Sequence, residues 1–143
     1  MSKIKLYNIN GTFLFEADSD KEIDRGGEGS IISHPKQRKQ VIKLYHAGIK
    51  PNLTIDSWAF LNQLGNRFIK PNELLFDANG QLVGYSMNLL DKSFFRISQI
   101  FTKSQCTKLG ITDAIKNKIS KELISIVEEA HAKEIVLGDY NPY

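Results

Sequence analysis

Three places in the 143-residue sequence carry residue types that could do chemistry. The first is Gly26-Gly27-Glu28-Gly29, flanked by Arg25 and Ser30. A loop that cradles phosphate needs glycines, because its backbone must approach the anion closely and a Cβ would stand in the way. The second is Lys43 inside Val41-Ile42-Lys43-Leu44-Tyr45. Strand alternation puts Val41, Lys43 and Tyr45 on one face, and a lysine on a half-buried face needs an anion or a route to water. The third is Gly138-Asp139, within the tail Gly138-Asp139-Tyr140-Asn141-Pro142-Tyr143. An aspartate at such a junction can act as a base or a metal ligand. Each has a plainer alternative. Glycines between strands form mobile turns, an edge-strand lysine points to solvent, and Gly, Asp, Asn and Pro are ordinary turn residues.

The elements that would position these residues change character along the chain. Residues 4–9 and 12–17 flank Asn10-Gly11, a dipeptide suited to a tight hairpin turn, with Leu6, Phe13 and Phe15 facing one core. Glu22-Ile23-Asp24 and Ile31-Ile32-Ser33-His34 read as strands on either side of the glycines, and residues 41–45 as a strongly β-prone strand. Residues 54–64 predict a helix: Thr54 or Asn52 caps it, Ile55, Trp58, Leu61 and Leu64 recur at helical spacing, and Gly65 ends it. Trp58 is expected to pack this helix onto the sheet. Leu74-Leu75-Phe76 and residues 82–87 predict a strand pair around Asp77-Ala78-Asn79-Gly80. A connector over 88–91 leads to a short helical stretch at 93–101. The clearest helix spans 112–132, with Ile115, Ile119, Leu123, Ile126, Val127 and Ala130 on one stripe. A short strand, Ile135-Val136-Leu137, is expected after it.

Composition limits the function classes. Hydrophobic residues make up 41% and charged residues 24%, which is globular. A net charge of +3 with no long basic block does not argue for nucleic acid. The single Cys106 excludes an internal disulfide and a Cys-rich zinc site. His34, His46 and His131 have no metal-ligand spacing relative to one another. Neither a signal peptide nor a run of about 20 apolar residues is visible, so a cytoplasmic protein is expected.

The glycine loop is followed by a strand rather than a helix, which disfavours a Rossmann site, and no Gly-Lys-Ser/Thr follows to make a P-loop. The order of elements, however, resembles the protein-kinase fold. Arg25-Gly26-Gly27-Glu28-Gly29-Ser30-Ile31 looks like the glycine-rich loop of bacterial kinase-like proteins. Val41-Ile42-Lys43 looks like the motif of the strand that carries the kinase lysine. Gly138-Asp139-Tyr140-Asn141-Pro142 looks like the catalytic loop of divergent bacterial Ser/Thr kinase-like families with Gly-Asp in place of Arg-Asp. The resemblance spans about residues 20–143 and implies an α+β fold. Residues 1–90 would be a kinase-like N-lobe, an antiparallel sheet with one helix, that includes an N-terminal hairpin. Residues 91–143 would hold the start of the C-lobe with its first long helix.

The resemblance implies roles residue by residue. Gly26, Gly27 and Gly29 would cover the ATP phosphates, and Lys43 would bind the α/β-phosphates. Ile31 and Val41 would pack on the adenine, with Met87 behind it. The backbone of Asn88 to Leu90 would be the hinge at the adenine edge. Asp139 would orient or deprotonate a substrate hydroxyl. ATP and Mg would be the cofactors, the Mg ligands lying outside this chain, and a protein Ser/Thr would be the phosphate acceptor. Departures from the pattern are specific. Asp24 stands at the loop's first glycine position, where its charge would repel phosphate unless turned away. The lysine's usual partner is a glutamate on the following helix, yet none occurs between Lys43 and Glu73, leaving Asp56 and Gln63 as candidate substitutes. The catalytic-loop Asn would fall at position 144, beyond Tyr143, so the chain reads as the first part of a longer kinase-like domain. Two alternatives stand beside it. One is a catalytically inactive kinase-like module that binds a regulatory partner. The other is an unrelated α+β binding domain that uses Lys36-Gln37-Arg38-Lys39 on an anionic surface.

Overall fold

A computed structural model describes residues 3–90 and 92–137. Gly138, Asp139 and Asn141 of the expected catalytic loop, and Asp91 of the connector, lie outside the described residues. The chain divides into two compact units, 1–89 and 90–143. The described part is α+β: a curled antiparallel sheet of seven strands and three α-helices. None of those helices is long and apolar enough to cross a membrane.

The first unit holds the sheet. Its strands are β1 (Lys3–Tyr7), β2 (Phe13–Asp18), β3 (Glu22–Arg25), β4 (Gly29–Ser33), β5 (Gln40–Tyr45), β6 (Pro71–Phe76) and β7 (Leu82–Asn88). They lie in the order β2-β1-β6-β7-β5-β4-β3, so the lysine strand β5 is interior, between β4 and β7. Alternation along the strands sends Ile32, Ile42, Leu44 and Leu75 to one face. There they join Leu6, Phe15 and Ala17 of the first hairpin in one buried cluster. The curl that closes this cluster is visible at Phe15, whose ring lies 4.6 Å from the ring of His34, the residue that follows β4. Lys36, first residue of the basic turn, donates to the Leu14 carbonyl, which ties that turn to the hairpin.

Two hairpin turns are built alike. In one, Asn8 Oδ1 accepts from the N–H groups of Asn10 and Thr12. In the other, Asp77 Oδ1 accepts from those of Asn79 and Gln81. Both place a glycine, Gly11 or Gly80, at φ +75°, a region open to glycine. The side-chain oxygen stands in for a backbone acceptor, which is the physical content of the Asn-Gly signal.

Helix α1 (Ile55–Leu61) is capped by Thr54, whose side chain and that of Ser57 exchange hydrogen bonds with each other's backbone. It ends at Leu61, before the Gly65 expected to stop it, and Gln63 therefore lies outside it. Trp58 fixes it to the sheet by donating from Nε1 to the Pro71 carbonyl at 3.0 Å.

The second unit contains α2 (Lys103–Leu109) and α3 (Asp113–Ala132), capped by Thr102 and Thr112. The expected helical stretch at 93–101 is reduced to a 3-10 turn, Ile97–Ile100. Cys106 lies within α2, buried, with Sγ donating to the Ile100 carbonyl. The strand expected at Ile135-Val136-Leu137 does not form. Glu134 turns left-handed at φ 58°, and the N–H groups of Glu134 and Ile135 close on the carbonyls of His131 and Ala130. This is the reciprocal pattern that ends a helix. It spends Ile135 as the apolar cap beside buried Ala130 and leaves Val136 81% exposed.

Two glycines are sterically required in the sheet. A Cβ on Gly29 would stand 2.2 Å from the Leu44 carbonyl oxygen, and one on Gly84 would stand 2.2 Å from that of Lys43. A Cβ on Gly27 would meet nothing within 4 Å. Gly29→Ala and Gly84→Ala should each destabilise by about 1–3 kcal/mol in urea unfolding, and Gly27→Ala by less than about 0.5 kcal/mol.

His34 supplies a pH-dependent contact. Its Nδ1 accepts the N–H groups of Lys36 and Gln37 at 3.1 and 3.0 Å, so the ring is held neutral. Burial lowers its pKa, with the Lys36 charge adding to the effect. The contribution is therefore full above the ordinary value of 6.5 and is lost as pH falls through the lower folded value. The urea midpoint should drop between about pH 7.5 and about pH 5. His34→Asn, which keeps an acceptor but does not titrate, should shrink that drop.

Candidate functional site

The sheet registers assemble a second face, opposite the buried cluster. Ile31 pairs with Lys43, and Lys43 pairs with Tyr85. One step along, Val41 pairs with Met87. Directly paired residues share a face, so Ile31, Val41, Lys43, Tyr45, Tyr85 and Met87 lie together. The structure thus brings together Lys43 and three of the apolar residues expected to surround it: Ile31, Val41 and Met87. Val41 is buried; the other two are half-buried.

Lys43 sits at the centre of this face. Its side chain is 22% exposed. The ammonium sits 5.6 Å from the Tyr45 ring centre and 6.0 Å from that of Tyr85. The two rings meet edge-on at 6.2 Å, a geometry in which their electron-rich faces attract the cation. Burial pushes the Tyr45 phenol up to about 12, helped by Tyr85 and by the Glu28 carboxylate. Lys43 Nζ donates to Glu28 Oε2 at 3.0 Å.

Glu28 is the partner that sequence reasoning missed. The candidates were Asp56 and Gln63, on or near the following helix. Asp56 lies in the first turn of α1 and is exposed. The carboxylate that meets Lys43 comes instead from the glycine loop. The signal was present: Gly29 pairs with Tyr45, so one further step of the hairpin sets Glu28 beside His46.

The loop itself is short and well fastened. Gly26 N–H donates to the Gly29 carbonyl at 2.9 Å. His46 holds the other side: its N–H donates to the Glu28 carbonyl, and its Nε2 is 3.0 Å from the Gly26 carbonyl. The three glycines have different physical roles. Gly26 and Gly27 form the exposed tip, with room above them. Gly29 is buried within β4, where the Leu44 backbone demands it.

The flanking charges are also placed. Asp24 pairs with Ile31, which puts it on the lysine face at the sheet edge. Its Oδ1 is turned back to accept the Arg25 N–H at 2.8 Å. Arg25 forks onto Glu22 through Nε and Nη2, and these bonds hold the Glu22 pKa down to about 2.

The expected hinge is partly committed elsewhere. Leu89 N–H donates to the Lys39 carbonyl, and the Asn88 side chain accepts from Asn72. Leu90 begins the second unit. Among the described residues no group of three His, Cys, Asp or Glu side chains comes together as a metal site.

Two cavities of the first unit have other linings. One, of about 340 Å³, is bordered by Lys3, Glu16, Asp18, Lys21 and His34, with both charge signs represented. The other, of about 390 Å³, lies at the two Asn-Gly turns and Ile55.

No family model matches the chain, and neither a curated protein nor a solved structure does.

Because Glu28 is 61% exposed, its ion pair with Lys43 contributes at most about 1 kcal/mol. Lys43→Met keeps the stem packed between the tyrosines. It should change the free energy of unfolding in urea by no more than about 1 kcal/mol.

Proposed function

We propose that the Lys43 face binds the phosphates and base of a purine nucleotide, as part of a protein-kinase-like domain that transfers phosphate to a protein Ser/Thr. The observation that carries this reading is the position of Lys43. It is a half-buried cation on an interior strand, in register with Ile31 and flanked by Val41 and Met87. The loop with the exposed Gly26-Gly27 tip brings its glutamate to the same ammonium.

The residues suit a phosphate. The ammonium offers donors to an anion. The absence of Cβ atoms at Gly26 and Gly27 leaves the backbone open to close approach. Asp24, the residue that would repel phosphate, has one carboxylate oxygen occupied by the Arg25 N–H. Ile31, Val41 and Met87 supply an apolar surface for a base. Bound nucleotide would bring the transferable phosphoryl group and its magnesium. Lys43 would hold the phosphates, and the glycine tip would cover them. Asp139, outside the described residues, is assigned to the acceptor hydroxyl by resemblance alone. A cytoplasmic location fits an ATP-dependent activity.

One observation favours a second reading, a catalytically inactive kinase-like module that serves as a regulatory or interaction domain. Lys43 is paired to its own loop rather than to a carboxylate on α1.

Thermal unfolding with MgATP decides between them. A binder gains about 2.7 kcal/mol at a hundredfold excess of ligand over Kd. Wild-type protein should therefore melt at a higher temperature as MgATP rises, and Lys43→Met should lose most of that gain. An unchanged wild-type melting temperature at millimolar MgATP would overturn nucleotide binding and leave the interaction module.

A further inference from the structure

We propose that Glu28 is a built-in occupant of the phosphate site, holding Lys43 until a nucleotide phosphate displaces it. This rests on the nucleotide reading and adds a regulation that the reading does not contain.

The charges around Lys43 lead to this. On one side its ammonium faces two tyrosine rings, which attract a cation but carry no charge to neutralise it. On the other it meets the Glu28 carboxylate at 3.0 Å. A phosphate seeking Lys43 meets the Glu28 carboxylate at the same ammonium. Two anions within a few ångströms of each other repel. Carboxylate and phosphate therefore exclude one another there.

The loop is built so that this exchange needs only a side-chain movement. Its backbone is fastened at the Gly26 and Glu28 carbonyls by His46, and at the Gly26 N–H by Gly29. The Glu28 side chain, by contrast, is 61% exposed and has open space beside it at Gly27. Rotation about its own bonds carries the carboxylate into water with no loss of backbone bonds. The occupied and vacated arrangements differ by one exposed ion pair. Apparent affinity then falls by the fraction of molecules in which Lys43 is vacant.

The experiment is calorimetric or fluorescence titration of MgATP into four forms of the intact chain: wild type, Glu28→Gln, Glu28→Ala and the double variant Glu28→Gln/Lys43→Met. Glu16→Gln, on the edge strand β2, serves as the charge control. Both single Glu28 variants should bind roughly two- to five-fold tighter than wild type. The double variant should lose the gain, and Glu16→Gln should match wild type. Equal or weaker binding by both Glu28 variants, with wild type binding, would overturn the occupant role and leave the nucleotide reading standing. A gain that persists in the double variant, or appears in Glu16→Gln, would reduce the effect to net charge and overturn it. Absence of binding in every form would overturn both.

Discussion

The backbone of Lys43 and Leu44 is approached from both sides by strands that carry no side chain at the point of contact. Gly29 of β4 comes against the Leu44 carbonyl and Gly84 of β7 against that of Lys43, and a Cβ at either would collide at 2.2 Å. The close approach lets the sheet coil tightly at this strand. Two consequences follow on opposite faces. Ile42 and Leu44 turn inward and join Leu6, Phe15 and Leu75. Lys43 turns outward between Tyr45 and Tyr85. The placement of the cation and the closure of the core therefore share one steric condition.

Magnitudes separate the scaffold from the site. Full burial of an Ile or Leu side chain is worth about 1.5–3 kcal/mol. Ile42, Leu6 and Leu75 are each entirely buried. An exposed ion pair such as Lys43–Glu28 contributes about 0–1 kcal/mol. The fold is therefore indifferent to whether Lys43 holds Glu28 or another anion. That indifference lets a cation be placed accurately and yet change partners. The Arg25–Glu22 fork illustrates the contrast on the edge strand β3: a bidentate pair, three residues apart, whose geometry holds the carboxylate ionised down to about 2.

Much of this was legible in the sequence where the signal is local. The period-two pattern of residues 41–45 foretold which face Lys43 would take. Asn10-Gly11 and Asn79-Gly80 marked turns whose hydrogen bonds lie within five residues. The 3.6-residue stripe of α3 marked the long helix, which the structure shows capped by Thr112. The failures have physical causes. Helix α2 carries only Cys106 and Leu109 as apolar residues, too few to mark an apolar stripe. Ile135-Val136-Leu137 has strand composition, but strand formation needs a partner, and the turn at Glu134 commits Ile135 to ending α3. At the site, Ile31 and Met87 could be brought to Lys43 only through the sheet register. Gly29 could be told apart from Gly26 and Gly27 only once the Leu44 carbonyl was placed. Glu28 reaches Lys43 across 15 positions of sequence, a pairing that depends on the hairpin and on no local pattern.

A lysine paired to a loop glutamate differs from one paired to a helix carboxylate in what holds the partner in place. Asp56, the acidic residue of α1, sits in that helix's first turn. There its charge complements the positive end of the helix dipole, and it is exposed rather than directed to Lys43. A carboxylate carried by a helix keeps its distance from a lysine only as well as the helix keeps its place on the sheet. Glu28 is carried on the two-stranded extension of β4 and β5 themselves, and His46 ties its carbonyl to the same hairpin. The ion pair therefore reports on the loop side chain alone and is insensitive to movement of α1. On the proposed reading, the availability of Lys43 would be set at the glycine tip and not through α1.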